Sequence, residues 1–418
     1  MLPEWLILGF LIVLGACVGS FLNVVVYRMP LGLSLVHPPS RCPKCEKRLA
    51  WHDNVPVLGW IMLGGKCRNC KLPISPRYPI IEAITGLMFG LAYLAFMQWG
   101  YGPCYTFEGP NEFGVWVKQH AHMTLQRDAI LFAVYLYLLS SLLAASLIDA
   151  EHFVIPLWIC WLMAIVGVIG HALGDTSDSP GNVVVGPVGS AIALGGGVGL
   201  VISNLLLWRG KLTRRVADAM PLLEHEKEAL LKQAAPDVPA ELPPDFTPKQ
   251  IRAEMRLEMV YLMPPLVLAG ALVTLITLVP AIGNLWASLI EPVMVRAALG
   301  ALLGGLIGGF VVWITRILGS IAFGREAMGL GDVHLMFGVG AIIGALHVTV
   351  AFFIAPFFGL ALALWMLVSR KRRELPYGPY LALGSVAALV LHCAIDNYPG
   401  FEGLGLFIRS LFESDSVL

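Results

Sequence analysis

A stretch from Trp5 to Tyr27, 23 residues with no charged side chain, limits what this chain can fold into more than any other feature. Backbone N–H and C=O groups find no water inside a bilayer, so such a run closes its hydrogen bonds within itself as a helix, and about 20 apolar residues cover the hydrocarbon layer. Nine further runs follow, near 80–98, 129–148, 153–173, 183–208, 259–280, 295–318, 333–347, 349–369 and 378–395. The run at 333–347 is short, and its border with 349–369 is indistinct. Composition agrees, with 57% of the 418 residues hydrophobic, 13% charged and a mean hydropathy of +0.76. The expected fold class is an all-α polytopic membrane protein of about 8–10 transmembrane helices. No basic stretch precedes the first run, as it would in a cleaved signal peptide, so 1–27 reads as a retained first span.

Basic residues in alternate loops give an orientation. Nine lie in 28–79, nine in 209–258, and Arg316, Arg325 and the four from Arg370 to Arg373 follow the same alternation, which leaves only Lys118, Arg127, Arg296 and Arg409. Under the positive-inside rule the N-terminus is then outside and the basic loops face the cytoplasm. Lys+Arg and Asp+Glu are equal at 28 each, so net charge gives no ground for a nucleic-acid partner.

The loop 28–79 carries Cys42-Pro43-Lys44-Cys45 and, after 21 intervening residues, Cys67-Arg68-Asn69-Cys70. Four thiolates from two such turns suit a tetrahedral zinc ion, and a segment of this size holds its shape poorly without a staple. Cys42, Cys45, Cys67 and Cys70 leave no open coordination position, so the metal reads as structural. The bland alternative is a pair of redox Cys-x-x-Cys motifs.

Two carboxylates stand at borders between apolar runs and loops. Asp149 closes the run ending Ser146-Leu147-Ile148, and Asp332 follows Gly329-Leu330-Gly331 just ahead of the next run. Ionisable groups at such borders are functional candidates, and two brought together can divide one proton between them. Taken singly, Asp332 is an ordinary helix N-cap and Asp149 an interfacial group; Glu151, His152 and His334 are further candidates. Gly329 and Gly331 supply a flexible turn that admits substrate backbone.

The remaining organisation divides the chain into 80–208, membrane helices that include Asp149; 209–258, a charged cytoplasmic insertion; 259–395, membrane helices that include Asp332; and a tail 396–418 whose Phe407 to Phe412 run suits an interfacial helix. Glycine-rich runs at 185–208 and 296–316 look alike, through shared helix packing or partial duplication. The loop 99–128 carries Tyr101, Tyr105, Phe107 and Trp116 without an evident role.

Taken together these motifs resemble those of the type IV prepilin peptidases, aspartic membrane proteases with a Gly-x-Gly-Asp motif. Gly19-Ser20-Phe21-Leu22-Asn23 is similar to the family's opening motif, the four cysteines to its tetracysteine domain, and Arg77-Tyr78-Pro79-Ile80-Ile81-Glu82 to the segment entering the second span. Ser146 to His152, Gly329 to Asp332 and Pro379 to Gly384 are similar to the two aspartate motifs and a late motif. The sequence departs from the family at Leu157, where an acid usually follows Pro156, and at His334, where Lys is usual. The resemblance implies a bacterial inner-membrane aspartic endopeptidase that removes the leader of prepilin or pseudopilin precursors, with Asp149 and Asp332 catalytic and membrane lipid around it. It also implies N-methylation of the new N-terminus with S-adenosylmethionine as donor, and Glu82 as a substrate or transferase contact. Two other classes compete: a proton-coupled transporter using both aspartates, and a non-catalytic assembly subunit whose zinc module docks a partner.

Overall fold

The computed structural model of the protein describes residues 3–42, 44–110, 116–176, 179–210, 247–368 and 376–397. Most of the charged insertion (211–246) and the Phe407 to Phe412 run lie outside the described residues. Eight described helices are long and apolar enough to cross a membrane, as expected of a multi-pass membrane protein: α1 (Glu4–Arg28), α3 (Arg77–Tyr93, continued by a π turn to Gln98), α4 (Leu125–His152), α5 (Leu157–Gly174), α6 (Pro187–Trp208), α7 (Pro248–Leu278), α9 (Val293–Phe323) and α10 (Leu330–Val368). Shorter helices are α2 (Leu58–Met62), α8 (Pro280–Leu289), α11 (Gly378–Val390) and α12 (His392–Asn397).

One short hairpin accompanies the helices. Between α3 and α4, β1 (Cys104–Pro110) and β2 (Trp116–His122) pair antiparallel, with Cys104 opposite His122 and Pro110 opposite Trp116. Thr106, Phe107, Trp116 and Val117 are residue types that favour extended backbone. Cys393, in α12, is disulfide-bonded.

Small residues set the helix contacts. In α1, a Cβ at Gly19 would sit 2.8 Å from Glu82 Cα, and one at Gly86 of α3 would sit 2.9 Å from the Ile12 carbonyl. Of the two similar glycine-rich runs, α6 lays Gly195 against Ala269 of α7, and α9 lays Gly305 against Phe337 of α10. Each run is thus used for close helix approach, the packing account of their likeness.

The indistinct border near 347 resolves at Gly344. Its φ of 81° and ψ of 171° lie in a region that only glycine occupies readily, and they interrupt α10. The site of a Cβ on Gly308 meets the Met336 carbonyl and also Val348 Cγ2 at 2.8 Å, so the chain turns back on itself and the two limbs of α10 run side by side. The expected spans 333–347 and 349–369 are therefore two limbs that part at 344. Nearby, His171 reaches the Ile342 carbonyl (2.8 Å) with Nε2 and Asp175 (3.0 Å) with Nδ1, while Asp175 accepts the Val183 N–H (2.9 Å). The broken backbone is thereby given partners inside the fold.

α7 begins at Pro248, earlier than the apolar run at 259. Thr247 accepts the Gln250 N–H and the Gln250 side chain accepts the Thr247 N–H, a reciprocal box that starts the helix within charged sequence.

Candidate active site and metal centre

Asp149 lies one turn from the end of α4. The helix stops where Phe153 takes a left-handed conformation (φ 55°) and returns its N–H to the Asp149 carbonyl, and Ile155-Pro156 then leads into α5. Asp332 lies within the first turn of α10, where an acidic side chain suits the positive end of the helix dipole, and not at the capping position ahead of it. Both carboxylates are buried, at 6% and 7% exposure, which favours a shared, partly dry setting over two solvated helix ends.

Three contacts bring them to one place. The Gly378 N–H, free at the first turn of α11, donates to Asp149 Oδ2 at 2.9 Å. A Cβ on Gly378 would lie 2.6 Å from that oxygen and 3.2 Å from Ile155 Cδ1, while a Cβ on Gly331, beside Asp332, would lie 3.1 Å from Ile155 Cβ. Ile155 therefore packs between the two aspartate loops, and the charge of Asp149 acts on Asp332. Gly329 lies against the second carboxylate, its Cβ position 3.5 Å from Asp332 Oδ2. Burial, and then the Asp332 charge, push the Tyr377 phenol up to about 12. One end of α4, α10 and α11 thus gathers Asp149, Asp332, Tyr377 and Gly378.

The other candidates have partners of their own. Glu151 pairs with Arg77 at 2.5 Å, and His334 directs Nδ1 to the Leu330 carbonyl at 2.8 Å. Glu82 is buried and accepts the Val57 N–H at 2.7 Å. Val57 (φ 61°, ψ −53°) is the centre of a tight three-residue turn closed by Leu58 N–H to Pro56 O at 2.6 Å, a rare and strained shape. Glu82 thus ties the cysteine module to α3.

That module is built from two like turns. The Cys42 N–H goes to the Lys47 carbonyl and the Cys67 N–H to the Leu72 carbonyl, with left-handed residues at Glu46 (φ 57°) and Lys71 (φ 59°), each directly after the second cysteine of its pair. Cys42 and Cys70 sulfurs are 3.9 Å apart, as are those of Cys45 and Cys67, and all four ligand atoms fall within 4.8 Å of one another. A tetrahedral ion with bonds of about 2.3 Å to sulfur requires an edge of about 3.8 Å, so this cluster is of a size to hold a metal ion. Backbone N–H groups of Cys70 and then Asn69 lower the Cys67 thiol to about 6, towards the thiolate a metal needs. Asp53 is held below the usual carboxylate range by hydrogen bonds from Arg68 (2.6–3.1 Å), which fasten the Trp51–Asn54 turn to the second knuckle.

Sequence reading missed Gly378, Tyr377 and Ile155. The signal for Gly378 was Pro379, which marks the first turn of a helix and hence a free N–H just before it.

Residues 13–96 match the Bacterial Peptidase A24 N-terminal domain, a span that takes in most of α1, the cysteine module and all of α3 and leaves Asp149 and Asp332 outside. A Myxococcus xanthus protein named Prepilin leader peptidase/N-methyltransferase is 55% identical over 92 residues, covering 22% of this chain and 27% of that relative. Over part of its length the chain is similar to prepilin leader peptidases. Proteins of the same name from Pseudomonas aeruginosa and Stutzerimonas stutzeri are 32% and 30% identical over 186 and 202 residues, covering 39% and 42% of this chain and 54% and 59% of their own length. Similarity to these prepilin peptidases therefore spans between 27% and 59% of each relative. No solved structure matches.

Proposed function

We propose that the chain is a membrane-embedded aspartic endopeptidase that cuts prepilin-like precursors where the membrane meets the cytoplasm. The observation that carries this is that Ile155 packs against both Gly378, which holds Asp149, and Gly331, next to Asp332, so the two carboxylates lie at one end of the helix bundle. Two carboxylates in a partly dry site do not both ionise cheaply, so one keeps a proton. The ionised carboxylate takes a proton from water as its oxygen attacks the scissile carbonyl carbon. The protonated one donates to the carbonyl oxygen, and collapse of the tetrahedral species expels the amine with a proton returned from the dyad. The Gly378 N–H fixes the orientation of Asp149 for this cycle.

The positive-inside count favours the cytoplasmic face for this end, and the disulfide at Cys393, in α12 beyond the far end of α11, agrees with an oxidising compartment there. Zinc is the ion we assign to Cys42, Cys45, Cys67 and Cys70; four thiolates complete its shell, so it would hold the module's shape and supply no reactive position. N-methylation, with S-adenosylmethionine as donor, rests on the relatives' names and the family resemblance. Among the described residues no glycine-rich turn joins a strand to a helix to cradle such a donor, so no residue is assigned to it. Glu82, engaged with Val57, is read as a latch on the module more than as a substrate contact.

The test is co-expression with a model prepilin and detection of the shortened product. Asp149→Asn and Asp332→Asn are each expected to lower cleavage by at least about 100-fold while the protein still inserts. Normal processing by either variant would remove that residue from the mechanism and favour a non-catalytic subunit.

A further inference from the structure

Arg316 lies inside the α9 span and is only 5% exposed. A guanidinium so placed needs both a counter-charge and acceptors for its fork of donors. Glu258 of α7 supplies the first, at 3.2–3.3 Å from Nε and Nη2. Nη1 turns the other way and donates to the Glu326 carboxylate and to the backbone carbonyl of Met328. Met328 directly precedes Gly329-Leu330-Gly331-Asp332, so one side chain links α7 to the turn that carries Asp332.

The clamp is itself braced. Trp313, almost one turn earlier in α9, donates Nε1–H to Glu258 at 2.7 Å, and its ring lies against Tyr261, whose carbonyl accepts from Ser203 of α6 at 2.7 Å. Ser320, one turn after Arg316, accepts the Ala327 N–H at 3.0 Å, a second tie between α9 and the same loop. The positive charge of Arg316 also acts on Asp332.

We propose that Arg316 is a positioning residue that holds the Met328 carbonyl, and with it the Asp332 turn, in the geometry facing Asp149, and that α7 sets Arg316 through Glu258. The proposal rests on reading Asp149 and Asp332 as the peptidase pair.

A buried ion pair that merely steadies the fold behaves differently from a positioning clamp. Replacing both members by apolar residues of similar size is often neutral for stability, so Arg316→Met with Glu258→Met separates the two roles. The double variant and Arg316→Lys, which keeps the charge but lacks the fork, are compared with the parent protein in nanodiscs. Cleavage of a model prepilin and hydrogen exchange over 325–331 are measured. A positioning role predicts that kcat falls about 10- to 100-fold in both variants with KM within about twofold, and that exchange over 325–331 speeds up by about tenfold or more. Parent-like kcat and parent-like protection in the folded double variant would overturn it. If Asp149→Asn and Asp332→Asn both still cleave, the peptidase reading fails, while the exchange measurement still decides whether Arg316 holds the turn.

Discussion

At the scale of single residues, the site depends on what a glycine leaves open. Gly378 has no Cβ, and one placed there would stand 2.6 Å from Asp149 Oδ2 and 3.2 Å from Ile155, too close for either neighbour to stay. Gly378→Ala is therefore expected to displace the carboxylate or break the N–H contact, lowering kcat by about tenfold or more with a smaller change in KM. Steady-state cleavage of a model prepilin checks it, and an unchanged kcat would show that Asp149 does not depend on this donor. The aspartates themselves were legible in sequence because each stands at an abrupt border between apolar run and loop. The role of Glu82 was not legible. Its acceptor duty to Val57 depends on a strained turn 25 residues upstream that no local pattern announces.

At the scale of elements, the reversal in α10 and the two cysteine turns carry most of the consequence. Gly344 at φ 81° and ψ 171° suits no other residue, so Gly344→Ala is expected to destabilise the protein by about 1–3 kcal/mol. Thermal unfolding in detergent reads this as a lowered midpoint, and an unchanged midpoint would mean the two limbs can part without that geometry. In the cysteine module, Asp53 has its folded pKa below the ordinary value of 3.8 because Arg68 bonds it. A depressed acid contributes stability above its unfolded pKa and loses that contribution as pH falls through the folded one. Asp53→Asn should thus speed hydrogen exchange over 51–54 at pH 7, and the difference from the parent should shrink as pH is taken below about 4. A difference that persists unchanged at the lower pH would point to packing instead of the ion pair. Helix existence was readable from apolar run length, whereas the start of α7 was not, because its capping box lies within charged sequence.

At the scale of the whole molecule, the cysteine module and the aspartate pair are separate devices joined through α1 and α3. Cys42→Ser is expected to take bound zinc from about one ion per chain to near zero, while Asp332→Asn keeps its zinc and loses cleavage. Metal analysis of both purified variants checks the separation; zinc loss from Asp332→Asn would show that the two devices are coupled. The amino-acid sequence by itself determined that the chain spans a membrane many times, that four cysteines can close on one ion, and that two acids stand at apolar borders. Those properties follow from composition, spacing and run length, which are local. Only the tertiary structure decided that Ile155 and Gly378 draw Asp149 and Asp332 together, that α10 doubles back at Gly344, and that Arg316 links α7 to the Asp332 turn. These depend on contacts between segments up to 229 residues apart, set by which small residues let helices approach, and such long-range pairing leaves no mark in the order of any one segment.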